Sequence, residues 1–244
     1  MNGIALELHN GTQLLCPIRR SARARRVRMV VSNGQVELIA PLDAPASLLD
    51  RFARAQLRWL EGALRRQPAS NVEAFKAQTG SIIALAGTDL ELVIGEHALK
   101  RSRVTQGPAQ LRIDLSAQLA EADREEAARQ ALRSWLSAEA EIHAQRYVAR
   151  LSPQIGVNVS GVGIRLTRSR WGSCSSSGKL MFNRLLIHAP AEVFEYVVAH
   201  ELAHRREMNH SPRFWAWVAK LTPNYQRWED YLDQEGRKLY RFSF

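Results

Sequence analysis

The 244-residue sequence predicts an α+β fold: a β-rich N-terminal subdomain with one helix, then a C-terminal part in which a short sheet packs beside helices. Three observations predict it. Short apolar stretches separated by Asn-Gly pairs fill residues 4–40, and apolar side chains recur at helical spacing over residues 121–151. A strand-turn-strand pattern at residues 162–187 precedes a buried helical run from Pro190 to His200. The two parts are expected at residues 1–118 and 119–244.

Taken in order, Asn10-Gly11 separates Ile4–Leu8 from Leu14-Leu15, and Asn33-Gly34 separates Val27–Val31 from Val36–Ile39. Asn-Gly is the favoured two-residue hairpin turn, because both central residues take positive φ. Pro41 ends the strand. From Ser47 to Arg66, Leu48, Leu49, Phe52, Ala55, Leu57, Trp59, Leu60 and Ala63 give one helix with a basic outer face. Residues 67–79 form a polar connection that reads as a subdomain boundary. Strands follow around Ile82–Leu85, Leu90–Ile94 and Leu111–Leu115. The long helix at 121–151 carries Leu132, Trp135, Leu136, His143 and Tyr147, with His143 in or beside the core. Val162, Ile164 and Leu166 alternate in one strand and Leu180 and Phe182 in the next, while Gly172, Gly178 and serines make the connection. No internal repeat or low-complexity tract is visible.

The chemistry concentrates in His200-Glu201-Leu202-Ala203-His204. Residues four apart share a helical face, so His200 and His204 can hold one metal ion, and Glu201 stands beside them to deprotonate a water. This is the H-E-x-x-H pattern of zinc hydrolases. Pro190 suits a helix start, Glu192 and Glu195 suit the positive end of its dipole, and Val193, Val197 and Val198 bury it. A catalytic zinc needs a third protein ligand and an open position for water. His210 is the candidate, provided that the helix stops before it. Asn209 tolerates a left-handed conformation, Ser211 is a good N-cap, and Pro212 suits the first position of a new helix. Thr222-Pro223 would open a further one. Glu207 occupies the position where the metzincin pattern has glycine. Glu229 and Asp230 are the alternative third ligands, in a gluzincin-like arrangement.

Upstream lies Arg168-Ser-Arg-Trp-Gly-Ser-Cys174, then Phe182-Asn183-x-x-Leu186; downstream lies Asn209-His-Ser-x-x-Phe-Trp215. With the His-Glu-Leu-x-His helix, these elements resemble the YgjP-like metallopeptidase domain, a relative of the SprT-like proteins, over roughly residues 160–220. The resemblance implies a compact zincin of minigluzincin-like build, with one Zn2+ on His200, His204 and His210 and with Glu201 as the catalytic acid.

The reading that follows is a zinc-dependent metallopeptidase in which Glu201 activates a zinc-bound water for attack on an amide bond. Arg168, Arg170, Asn183 and Tyr225 are candidate substrate or oxyanion groups, and the Leu180–Ile187 strand is the candidate edge for an extended peptide. Two rivals stand beside it. One is a metal-dependent nucleotide phosphohydrolase, a nucleoside triphosphate pyrophosphatase. The other is a DNA-associated protease, or a nucleic-acid-binding module whose zinc is structural.

Composition narrows the setting. No apolar run approaches bilayer length and no signal peptide is evident, so a cytoplasmic protein is expected. Cys16 and Cys174 stand far apart and suit a reducing compartment; Cys174 is expected to be a small residue in a tight turn near the metal. The net charge is +10, and Arg19, Arg20, Arg23, Arg25, Arg26 and Arg28 fall within ten positions. Such a patch attracts phosphates, making a nucleic acid or nucleotide a second candidate partner beside a peptide or protein.

Overall fold

Alternating apolar residues in the first forty positions build a sheet. The computed structural model describes residues 3–9, 11–32, 35–65, 74–98 and 100–244, and the chain divides into two units, Met1–Val72 and Glu73–Phe244. In the first unit, β1 (Gly3–Glu7), β2 (Gln13–Arg20), β3 (Arg28–Ser32) and β4 (Gln35–Ala40) are ordered β1-β2-β4-β3. Two antiparallel hairpins are joined by a parallel β2–β4 pair. Of the two expected Asn-Gly turns, Asn10, Asn33 and Gly34 lie outside the described residues. Leu6, Cys16, Met29, Val36 and Leu38 meet Leu49, Ala53 and Leu60 in one core. The single helix expected here is two, α1 (Ala46–Ala55) and α2 (Leu57–Arg65), because the Gln56 N–H caps α1 by donating to the carbonyls of Phe52 and Ala53.

The arginines of this unit fall into two groups. Arg19 pairs with Glu37 at 2.9 Å, and Arg20 binds the carbonyls of Pro41, Leu42 and Ala44. Register sets Arg19 and Arg28 on either side of Ile39, and Arg23, Arg25 and Arg26 lie exposed between β2 and β3.

In the second unit β5 (Ile82–Leu85), β6 (Thr88–His97), β7 (Arg103–Gln106) and β8 (Gln110–Ser116) form a sheet ordered β5-β6-β8-β7. Here too, two hairpins are joined by a parallel pair. The first unit's topology is therefore repeated, although no repeat is visible in the sequence. Helix α3 (Arg124–Leu151) follows, with Ala128, Leu132, Leu136, Ala140, Ala144 and Val148 every fourth residue on one buried face. His143 is half-buried, its ring 6.1 Å from Tyr147. Ile83, Leu92, Leu111 and Ile113 share a single core with α3, so the boundary expected at residue 118 is displaced to 72, within the polar connection.

A third, small sheet carries the site. Strands β9 (Gly161–Arg165), β10 (Gly172–Cys174) and β11 (Lys179–Asn183) are ordered β10-β11-β9. The strand expected to run to Ile187 stops at Asn183, and residues 184–188 turn in a 3-10 helix. Helix α4 (Ala191–Ala203) is enclosed through Val193, Phe194, Val197, Val198 and Leu202, with α5 (Pro212–Leu221) and α6 (Tyr225–Gln234) packed against it. Thr222 does not open α6: it closes α5, and α6 starts three residues later.

His188 is enclosed by this core, stacked 4.0 Å from Phe242 and bonded through Nδ1 to the Ala84 carbonyl at 2.8 Å. Burial pushes its pKa from 6.5 down to about 4. The folded unit keeps His188 neutral while the unfolded chain protonates it below pH 6.5, so stability is full above that pH and is lost as pH falls towards about 4. At about 1.4 kcal/mol per pKa unit, the loss is about 3 kcal/mol. The His188→Phe variant should lose that much less unfolding free energy between pH 7 and pH 4, measured by denaturant titration; an unchanged pH dependence contradicts the assignment.

Candidate metal centre

Helix α4 brings His200 and His204 onto one face, their ring centroids 5.1 Å apart. The helix ends at Ala203, and its last carbonyl accepts from the N–H groups of both Arg206 and Glu207 at 2.9 Å. Asn209 does not take the expected left-handed conformation, since Ala86 is the only non-glycine with positive φ among the described residues. The turn is instead held from outside. Arg206 donates to the carbonyls of Ile155 and Gly156 and lies 5.4 Å over Trp217, while Arg205 donates to those of Asn158 and Ser176. Ser211 then caps α5 by accepting from Phe214 N–H at 3.4 Å. These contacts return His210 to the end of α4.

Three imidazoles consequently meet. One ligand nitrogen from each of His200, His204 and His210 lies within 4.8 Å of the others. His200 Nε2 and His210 Nε2 are 3.1 Å apart, close to the ~3.3 Å between two nitrogens that sit ~2.0–2.1 Å from one tetrahedral zinc ion. His204 Nδ1 lies 3.3 Å from the Glu207 carbonyl; an N–H there leaves Nε2 as the donor to a metal. The fully buried Phe214 forms the floor, its ring 4.6–4.8 Å from all three imidazoles. Burial, then the charges of His204 and His210, pushes His200 down to about 3, so the ring stays in the neutral form that binds metal. The residues present fit a zinc ion. Glu229 and Asp230, the alternative third ligands, are not in the group.

Glu201, 5% exposed, lies under β10. A Cβ on Gly172 would lie 2.5 Å from Glu201 Oε1, so only glycine lets the strand come this close. Burial pushes the Glu201 carboxyl up to about 8, opposed by the charge of Arg170. A carboxyl poised this way, beside three imidazoles, suits metal-assisted hydrolysis with a proton relay.

The remaining candidates separate. Arg168 and Arg170 are exposed on the loop between β9 and β10. Asn183 is not open to a substrate: it is 1% exposed and its side chain is fully used. Its Nδ2 donates to the Thr167 carbonyl at 2.8 Å and to the Arg170 carbonyl at 3.2 Å, while Oδ1 accepts from Leu185 N–H at 3.1 Å. It therefore fixes the loop that presents the two arginines. Tyr225 stacks on Trp215, centroids 5.1 Å apart, and Trp215 lies 5.9 Å from His200. Cys174 is a free thiol on β10, outside the metal-binding group. Sequence reasoning missed Phe214 and Trp215, although the Asn-His-Ser-x-x-Phe-Trp run contains both, and missed the clamps made by Arg205 and Arg206.

An α+β unit that gathers three histidines and a buried carboxylate in this way defines a metal-dependent hydrolase. The chain belongs to the YgjP-like family: the model of the YgjP-like metallopeptidase domain matches residues 25–235, well beyond the 160–220 region that carries the motifs. No curated protein matches the chain. Among solved structures, the metallopeptidase zymogen abylysin of Pyrococcus abyssi is similar at 23% identity, covering 36% of this chain and 90% of that one, with a TM-score of 0.34. A likeness that loose adds nothing to the argument. No helix among the described residues is long and apolar enough to cross a membrane.

Removing the third nitrogen tests the centre. His210→Ala should weaken zinc binding at least about 100-fold in a chelator competition, within the range of structural zinc energies. Unchanged affinity contradicts the three-histidine assignment.

Proposed function

We propose that this protein is a single-zinc peptidase in which Glu201 serves as general base and then general acid. The observation that carries the proposal is the convergence of the His200, His204 and His210 nitrogens next to a carboxylate held under β10. The three histidines would hold the zinc, which when bound would supply Lewis-acid chemistry and an activated water. Glu201 would accept a proton from the attacking water and return it to the leaving amine, and its raised proton affinity suits both steps. Arg170, whose charge already acts on Glu201, offers a donor to the developing oxyanion from the exposed loop.

The expected substrate edge needs revision. Strand β11 is paired on both sides, by β10 and by β9, so it has no free edge. Strand β10 lies at the rim of the sheet and against Glu201, and an extended peptide added alongside it would run past the carboxylate.

In Glu201→Gln, zinc content should be unchanged while kcat/KM on unstructured peptides falls by at least about 100-fold, the scale of general acid–base catalysis. Near-normal turnover would remove Glu201 from the mechanism. Turnover of nucleoside triphosphates but not of peptides by the zinc-loaded protein would replace the peptidase reading with a phosphohydrolase.

A further inference from the structure

Strand β7 leaves one edge of the second unit's larger sheet open, and a trough runs beside it between β7 and α3. We propose that this trough docks an extended acidic peptide segment. The segment adds to β7 as a further strand, rests an apolar side chain on Trp135 and sets a carboxylate at Lys100. The site is separate from the metal centre, none of whose histidines lines it, and it does not depend on which bond the metal centre cleaves.

The geometry begins with the sheet. Strand β7 pairs with β8 on one side, and on the other its backbone has no hydrogen-bond partner among the described residues. Its residues, Arg103–Gln106, offer roughly 13 Å of open edge. Ala127, Gln130, Ala131, Ser134 and Trp135 recur at helical spacing, so α3 turns one stripe towards that edge. With Ser102 and Val104 they enclose about 490 Å³, within the ~300–1,000 Å³ typical of ligand pockets. The floor is apolar: Val104, Leu119, Ala127, Ala131 and Trp135 are half-buried against the core of the unit. The rim is polar, and the side chains of Lys100, Ser102, Gln130 and Ser134 have no hydrogen-bond or ion-pair partner among the described residues.

These groups define what fits. An extended chain satisfies the open N–H and C=O groups of β7, which a compact ligand cannot do along the whole edge. Successive side chains of such a chain point to opposite faces, so every second one enters the trough and meets Val104 and Trp135. The sign of its charge is set by the residues that lead into β7. Lys100, Arg101 and Arg103 are exposed and form no ion pair among the described residues. Asp114, opposite Arg103 in the ladder, is held by Arg112 at 2.7 Å, and Glu96 is held by Arg124. Cations without a counter-charge at the mouth of a trough favour a partner that brings a carboxylate and repel a basic one. An acidic side chain and a chain terminus both supply that group.

Binding is read by fluorescence anisotropy on the full-length Glu201→Gln protein, which leaves the probes intact. Three labelled peptides share alternating valines: one ends in a free carboxylate, one is amidated and carries a glutamate, and one is amidated and carries a lysine instead. At least one carboxylate peptide should bind about tenfold tighter than the lysine peptide, and the tighter of the two names the source of the carboxylate. Lys100→Glu and Ser134→Glu, both at exposed positions, should each weaken that binding about tenfold. Methylating alternate backbone N–H groups of the peptide should cost about tenfold in one alternation and little in the other, because only one set faces β7. Equal affinity for the three peptides, or no binding at millimolar concentration, overturns the proposal. Indifference to both substitutions places the peptide elsewhere, along β10 for instance, and also overturns it. Equal response to the two methylation patterns makes the trough a pocket for a compact ligand, and a dimer that Ser134→Glu dissociates makes the occupant a second copy of the chain; either result overturns peptide docking.

Discussion

The place where α4 ends determines the rest of the site. His200 and His204 are paired by helical geometry alone, but two imidazoles do not make a catalytic zinc site. The third has to come from a chain that leaves the helix after Ala203, turns through eight residues and re-enters a helix at Pro212. No glycine is available for that turn. Arg205 and Arg206 instead fasten it to carbonyls of residues 155–158 and 176, while Phe214 sets the floor beneath all three rings. The loop at the end of α3 and the turn between β10 and β11 therefore help to shape the candidate metal site, although neither adds a residue to the three-histidine group.

Burial sets the chemistry of what the fold gathers. The same enclosure that keeps His200 neutral raises the proton affinity of Glu201, so one environment suits the first to hold a metal and the second to carry a proton. Gly172 makes the second effect possible by letting β10 lie directly against the carboxylate. Asn183 keeps the preceding loop in place, with the Tyr240 hydroxyl donating to the same Thr167 carbonyl.

What was legible in the sequence is what depends on local spacing. The histidine pair, the flanking motifs, the Ser211-Pro212 helix start and the stripe along α3 all follow from periodicity or cap chemistry. What was not legible depends on partners distant in sequence. The parallel β2–β4 and β6–β8 pairings, and so the repeated topology, leave no local signal, and β7 was missed altogether. Whether β10 or β11 forms the rim is decided by β9, with which β11 returns to pair. Asn183 looked like a substrate group because an asparagine after a strand near a metal helix suits either task; only its buried hydrogen bonds distinguish the two.

X-ray absorption at the zinc edge of the stoichiometric zinc protein tests the central arrangement most directly. The account predicts three imidazole nitrogens at about 2.0–2.1 Å and one further light ligand that a small inhibitor displaces. Two imidazoles with a protein carboxylate, or four protein ligands with no exchangeable position, would contradict it.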